Sequence, residues 1–234
     1  MAQHTSTSPR TTRGKVMAIL ASGAIIGLGT TATLAAWTDT EWVFGGNALG
    51  NGPGLGTSNF EVEQNVTSPY TEDEFFGQFE TNPGQALTFG FDALSLNPGD
   101  TVFAQVALRT IAGSGAGYLT LQPAVEPDVS VITTTDPGGD LWAALTLQVW
   151  TSTSALNCTS AVEATNSGTL IAGGDITAAP DVSEPGQSLG ANSDGAAYYC
   201  FGVTLPAMAE GADTDILQGR GVAPAWEFAA VSTD

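Results

Sequence analysis

The chain has 234 residues, 42% of them hydrophobic and 12% charged, which is enough for one substantial core and too little for two full domains beside an export signal. Beyond residue 35 it carries all 24 of its Asp and Glu but only two basic side chains, Arg109 and Arg220, a formal charge of −22. The want of a basic surface argues against a nucleic-acid partner, and against an anionic membrane surface for the same reason.

Residues 1–15 are polar and basic (Arg10, Arg13, Lys15), residues 16–26 mostly apolar, and residues 27–36 mostly small, the order of a secretory signal. Thr33 at −3 and Ala35 at −1 are the small pair that a signal peptidase selects, so the expected cut lies between Ala35 and Ala36. A retained membrane anchor is the competing reading of the same run, but its Gly and Thr make it weakly apolar and short for a spanning helix. The expected organisation is therefore a signal peptide over 1–35, an N-terminal strand and flexible tether over 36–56, and a β-sandwich domain over 57–234.

In the mature part, Trp37, Trp42, Val43 and Phe44 alternate loosely with acidic residues and Thr and read as a strand, followed by a Gly- and Asn-rich tether to Gly56. Residues 59–67 alternate clearly, with Phe60, Val62, Gln64 and Val66 expected inward and Glu61, Glu63 and Asn65 in water. Thr71 to Glu74 fits a capping box ahead of Phe75 and Phe76, which predicts one short helix over 72–79. Further strands are expected over 86–91, 101–110, 117–124, 141–151, 168–171, 196–205 and 221–231. Turns or loops at Pro83-Gly84, Pro98-Gly99, Pro137-Gly138 and Pro185-Gly186 separate several of these strands. Eight or nine short strands at this spacing predict an all-β protein, a two-sheet sandwich of jelly-roll or Greek-key type with at most one short helix.

Catalytic chemistry finds few candidates. The single histidine, His4, lies in the signal, so zinc sites and Ser-His-Asp or Cys-His arrangements lack their usual ligand or base, and no lysine follows Lys15. Carboxylates are plentiful enough for a glycosidase pair, yet Asp213/Asp215 and Glu72/Asp73/Glu74 read as solvated loops before they read as an acid–base pair or a calcium site. No enzyme activity, metal or cofactor is expected. Cys158 and Cys200 both fall in the exported part, where oxidation is the default, and predict one disulfide across a separation of about 42 residues. The stretch Asp194-Gly195-Ala196-Ala197-Tyr198-Tyr199-Cys200 resembles an immunoglobulin strand F locally. The core Trp between the cysteines is missing, so only the physics is shared: an Asp turn, a Tyr anchored near a strand start and a buried disulfide.

Two places resemble the TasA/camelysin family. One is Thr33-Leu34-Ala35-Ala36-Trp37-Thr38-Asp39 with Val43-Phe44-Gly45-Gly46-Asn47, similar to that family's processing region. The other is Leu94-Ser95-Leu96-Asn97-Pro98-Gly99-Asp100-Thr101, similar to its L-x-PGD turn before a strand. The segment Tyr199 to Pro206 and the closing stretch from Leu217 to Phe228 resemble actinobacterial members. The resemblance implies a jelly-roll protein of the cell surface or biofilm matrix, cut during export by a signal peptidase of SipW type. It further implies a head-to-tail homopolymer built by donation of an N-terminal strand. It also raises a surface metalloprotease, from which this chain departs by having no exported histidine. A monomeric adhesin or ligand-binding sandwich is the alternative to a fibre. Secreted material is expected to begin at Ala36; an intact mass that retains residues 16–35 would support the membrane anchor instead.

Overall fold

The structure, a computed structural model, describes residues 40–49, 51–128, 130–165, 167–178, 186–210 and 213–233. The chain divides between Gly56 and Thr57 into two units. Beyond Thr57 the described residues form eight strands: β1 (Val62–Asn65), β2 (Thr101–Thr110), β3 (Gly117–Leu121), β4 (Thr146–Ser152), β5 (Thr169–Asp175), β6 (Gln187–Leu189), β7 (Ala197–Thr204) and β8 (Phe228–Ser232). They build two antiparallel sheets, one in the order β1-β2-β7-β4-β5 and one in the order β6-β3-β8. The all-β expectation with two sheets is met.

β7 is the centre of the larger sheet. It pairs with β2 from Ala197↔Leu108 to Thr204↔Thr101 and with β4 from Tyr198↔Ser152 to Thr204↔Thr146. Seven of its eight residues are buried, because both faces of the sheet are covered. On the inner face Tyr199, Phe201 and Val203 join Val106, Leu108, Leu147 and Val149, and meet Leu119 and Leu121 of β3 with Phe228 of β8. The rings of Tyr199 and Phe228 stack edge to face at 4.8 Å, a geometry that adds to the area they remove from water. On the outer face Tyr198 and Cys200 pack with Ala107, Trp150, Leu156 and Val162, and against Tyr70, Phe76 and Phe103. Gly202 lies on that outer face, where a Cβ would stand 3.0 Å from Phe103 and 3.1 Å from Trp150, so the two rings occupy the space a side chain would need.

The covered outer face accounts for one departure from the sequence pattern. Asn65, expected in water, is fully buried and accepts the Thr67 N–H at 2.7 Å, and Glu63 turns to Arg109 at 2.7 Å. Arg109 also meets Asp73 and lies 3.8 Å over the ring of Phe76, so one of the two available cations joins the segment after β1 to the sheet.

The helix expectations change as well. Residues 72–79 give only a 3-10 turn, Asp73–Phe75, whose N-cap is Glu72 and which has no side-chain cap bond. Two short α-helices occur elsewhere, α1 (Asp140–Ala144) and α2 (Ala161–Thr165), against the expected limit of one. The apolar run 141–151 therefore splits into a helix and a strand. Its composition suits either state, and the choice is made from outside the run: the Asp136 carboxylate accepts the N–H groups of Leu141 (3.1 Å) and Trp142 (2.8 Å), which leaves those donors satisfied only in a helical turn. Residues 86–91 form no strand; Leu87 and Phe89 pack against the core and Phe91–Leu94 is a 3-10 turn. At the predicted Pro98-Gly99 turn, Gly99 has φ +101°, Asp100 donates its N–H to Asn97, and Asp100 Oδ2 accepts both Asn97 nitrogens. The turn is then fastened to the end of β7 by Gly99 N–H donating to the Leu205 carbonyl at 2.6 Å.

Arg220, the second cation, bridges Asp136 (2.8 Å) and Asp140 (2.7 Å) and donates to the Pro137 carbonyl, tying the turn before α1 to the segment before β8. Asp136 is only 5% exposed. Burial alone would raise its carboxyl, but the Trp142 and Leu141 N–H groups and the Arg220 guanidinium outweigh that and hold it below the ordinary carboxylate range. A group depressed on folding stabilises the fold above its unfolded value of about 3.9, and this contribution is lost as pH falls through the lower folded value. Asp136→Asn is expected to cost about 2 kcal/mol at neutral pH and to flatten stability against pH below about 4; urea unfolding across pH 2–7 measures both. An unchanged neutral-pH midpoint would refute the role.

Candidate functional site

Of the residues singled out from the sequence, Thr33, Ala35, Ala36 and Trp37 lie outside the described residues, as does His4. Trp42, Val43 and Phe44 are described, and they are 89%, 95% and 72% exposed. The expected strand is not formed there: residues 40–44 make no backbone hydrogen bond among the described residues. A strand is stabilised only by a partner, and among the described residues these have none. The tether that follows is less featureless than its composition suggests. Asn47 donates its N–H to the Gly52 carbonyl and Gly54 to that of Gly45, both at 3.0 Å, which closes a turn around a Gly46↔Pro53 bridge. Asn47 Oδ1 accepts the N–H groups of Leu49 and Asn51 inside that turn, the local bonding that makes Asn a turn residue.

The predicted disulfide is present. Cys200, on the outer face of β7, is bonded to Cys158 in the loop between β4 and α2, with Cα atoms 5.4 Å apart. Its place differs from that of an immunoglobulin disulfide, because Cys200 points away from the second sheet. It instead pins residues 153–165 over the outer face, where Leu156 and Val162 are buried against Trp150 and Tyr198. A disulfide of this kind persists in an oxidising compartment.

The carboxylate groups weighed as acid–base or calcium candidates are dispersed into local structure. Asp73 is paired with Arg109, Asp213 Oδ1 accepts the Asp215 N–H at 3.1 Å, and Asp215 Oδ1 accepts from Gln218 at 2.7 Å. Among the described residues no group of three or more His, Cys, Asp or Glu side chains is placed to hold a metal ion, and no helix is long and apolar enough to cross a membrane.

What the sequence reading missed are the sheet edges. β1 is guarded, since Gln64 exchanges both backbone hydrogen bonds with Gly77 on its free side (2.8 and 3.0 Å). β6 has three residues, and β8 has five. β5 has seven, pairs only with β4 among the described residues, and leaves Leu170 51% exposed. Beside it an open depression of about 570 Å³ is lined by Thr151, Ser152, Ser167, Thr169, Leu170 and by Gln187 of β6, so it spans the side of the sandwich where β5 and β6 end the two sheets. The alternating or apolar pattern that signals a strand carries no mark of whether that strand is central or at an edge.

No protein-family model matches the chain, and no curated protein matches it.

Replacing both cysteines by Ala is expected to destabilise the domain by about 3 to 4 kcal/mol, the loop-closure value for a separation of 42 residues. Urea unfolding of the oxidised parent and the double variant measures it, and two free thiols in the denatured, unreduced parent would refute the bond.

Proposed function

We propose that this chain is an exported structural protein of the cell surface or biofilm matrix, a jelly-roll sandwich whose copies join head to tail into fibres. The observation that carries the reading is the exposure of Trp42, Val43 and Phe44 on residues that make no backbone hydrogen bond among the described residues. Covering an apolar side chain of that size is worth about 1.5–3 kcal/mol, and unpaired backbone groups add the drive to join a sheet. An N-terminal segment that leaves its own copy and completes a neighbour's sheet makes a heterologous contact. Such a contact generates a filament when it does not close on itself.

The similarity of residues 33–39 and 94–101 to the TasA/camelysin family supports the same function, including processing at Ala35/Ala36 by a SipW-type peptidase to free the donor end. The acidic surface agrees with a protein that works outside the cell and keeps its copies soluble until a specific contact forms. Neither a catalytic group nor a cofactor has a part in this reading.

Removing residues 36–46 from the chain that begins at Ala36 is expected to leave a folded, soluble monomer that no longer forms fibres. Negative-stain imaging reads the fibres, and a thermal melt reads the fold. Fibres from the truncated chain equal to those of its parent would sink strand donation from this end, and unfolding of the truncated chain would show that the segment belongs to its own core.

A further inference from the structure

Asn47, Asn51 and Gly52 meet in the turn closed by the Gly46↔Pro53 bridge, and Asn51-Gly52 is the one Asn-Gly pair in the sequence. The side-chain carbonyl carbon of an asparagine is open to attack by the backbone nitrogen of the residue that follows it. A side chain on that next residue shields the nitrogen, and glycine has none. Asn51 is exposed, so water reaches the pair.

The turn places each reacting group. Asn47 has its carboxamide fixed in orientation, because Oδ1 accepts the N–H groups of Leu49 (3.1 Å) and Asn51 (3.3 Å), which leaves Nδ2 as the donor. Nδ2 donates to Asn51 Oδ1 at 3.2 Å and so draws electron density from the carbon that an attacking nitrogen must reach. When that carbon becomes tetrahedral, negative charge gathers on Oδ1, and the same donor stands where the charge develops. The nucleophile is free: Gly52 N–H donates no hydrogen bond among the described residues, whereas the Gly52 carbonyl is held by the Asn47 N–H at 3.0 Å. The Asn47 amide also lies against the open face of Gly52, where a Cβ would come within 2.8 Å of Nδ2. One side chain thus touches both partners of the reaction and holds them in one turn.

We infer that Asn51-Gly52 is a self-modification site, at which Asn51 becomes aspartate or isoaspartate and Asn47 stabilises the attacked carbonyl. Hydroxide takes the proton from the Gly52 nitrogen, which forms a bond to Asn51 Cγ. The bond from Cγ to the side-chain nitrogen then breaks, and that nitrogen leaves as ammonia with a proton from water. A second water opens the five-membered imide, at Cγ to give aspartate or at the Asn51 backbone carbonyl carbon to give isoaspartate. Water is the only co-reactant, and no oxidant or reductant takes part. Either product places a negative charge within residues 42–60, which otherwise carry none. Isoaspartate also routes the backbone through one more carbon, which moves Gly52 away from its bond with Asn47. The turn is therefore a covalent timer, and an older copy differs from a newer one by a charge in this stretch.

The test incubates the purified chain in mildly alkaline buffer and follows the peptide that contains Asn51 by mass spectrometry and an isoaspartate assay. The parent is expected to exchange the Asn51 amide for a carboxyl group, and to do so faster when folded than in urea. Asn47→Asp keeps the acceptor of the turn and loses the donor, and is expected to convert about fivefold more slowly, the rate equivalent of one ordinary hydrogen bond. Asn47→Ala, which loses both, is expected to slow at least as much. Asn51 intact in the parent after weeks would overturn the site, and a mass gain that persists in Asn51→Gln would place the conversion elsewhere in the chain. Conversion of Asn47→Asp at the parent's rate would overturn the part given to the Asn47 donor. Faster conversion in urea than in the folded chain would show that the turn protects the pair, and would overturn the inference that it drives the reaction.

Discussion

Burial of β7 on both faces is the constraint on which the rest of the domain depends. A strand with water on one face alternates, whereas Tyr198-Tyr199-Cys200-Phe201 is apolar or aromatic on both sides and must be covered on both. The inner face is met by the smaller sheet through Leu119, Leu121 and Phe228. Among the described residues the outer face meets no third sheet and is closed by the loop and short helix of residues 153–165 and by the segment that brings in Tyr70 and Phe76. Such a cover has fewer backbone bonds to the sheet than a paired strand has, and the covalent tie and an ion pair both fall on this side. The Cys158–Cys200 bond anchors one cover, and Arg109, between Glu63, Asp73 and the Phe76 ring, anchors the other.

Scarcity of positive charge gives each of the two cations an architectural place. In a chain of 24 carboxylates, most acidic side chains have no opposite charge to meet and remain in solvent. Arg109 and Arg220 are each largely covered, with side chains 14% and 15% exposed, and each hold two carboxylates, so they act as knots between segments distant in sequence. Around Arg220 the knot includes the carboxylate that sets α1, and a helix start is thereby coupled to the approach to β8. The remaining negative charge keeps copies apart at long range. Any association has to run through neutral, hydrogen-bonding surface at short range.

Residues 40–44 carry large apolar side chains at Trp42, Val43 and Phe44 and make no backbone hydrogen bond among the described residues. A contact between unlike surfaces of identical copies closes into a ring or runs on as a filament according to the rotation it imposes.

The sequence by itself determined the all-β class, the turns at Pro83-Gly84, Pro98-Gly99 and Pro137-Gly138, the limits of β2 to the residue, the position of β7 to within one, and the cysteine pair, because each rests on local rules: alternation, φ > 0 at glycine, and the presence of just two cysteines beyond the apolar run. It could not determine that residues 141–151 break into α1 and β4, since an apolar run satisfies either period and the deciding carboxylate, Asp136, lies outside it. It also misplaced Asn65 in water, because alternation reports two faces and not whether the second face is covered. The tertiary structure alone decided which strands are central and which are edges among the described residues, that Gly77 covers the free side of β1, and that residues 40–44 make no backbone hydrogen bond among the described residues. Pairing is a relation between distant segments, and a strand's own residues read the same whether one neighbour or two will bind them.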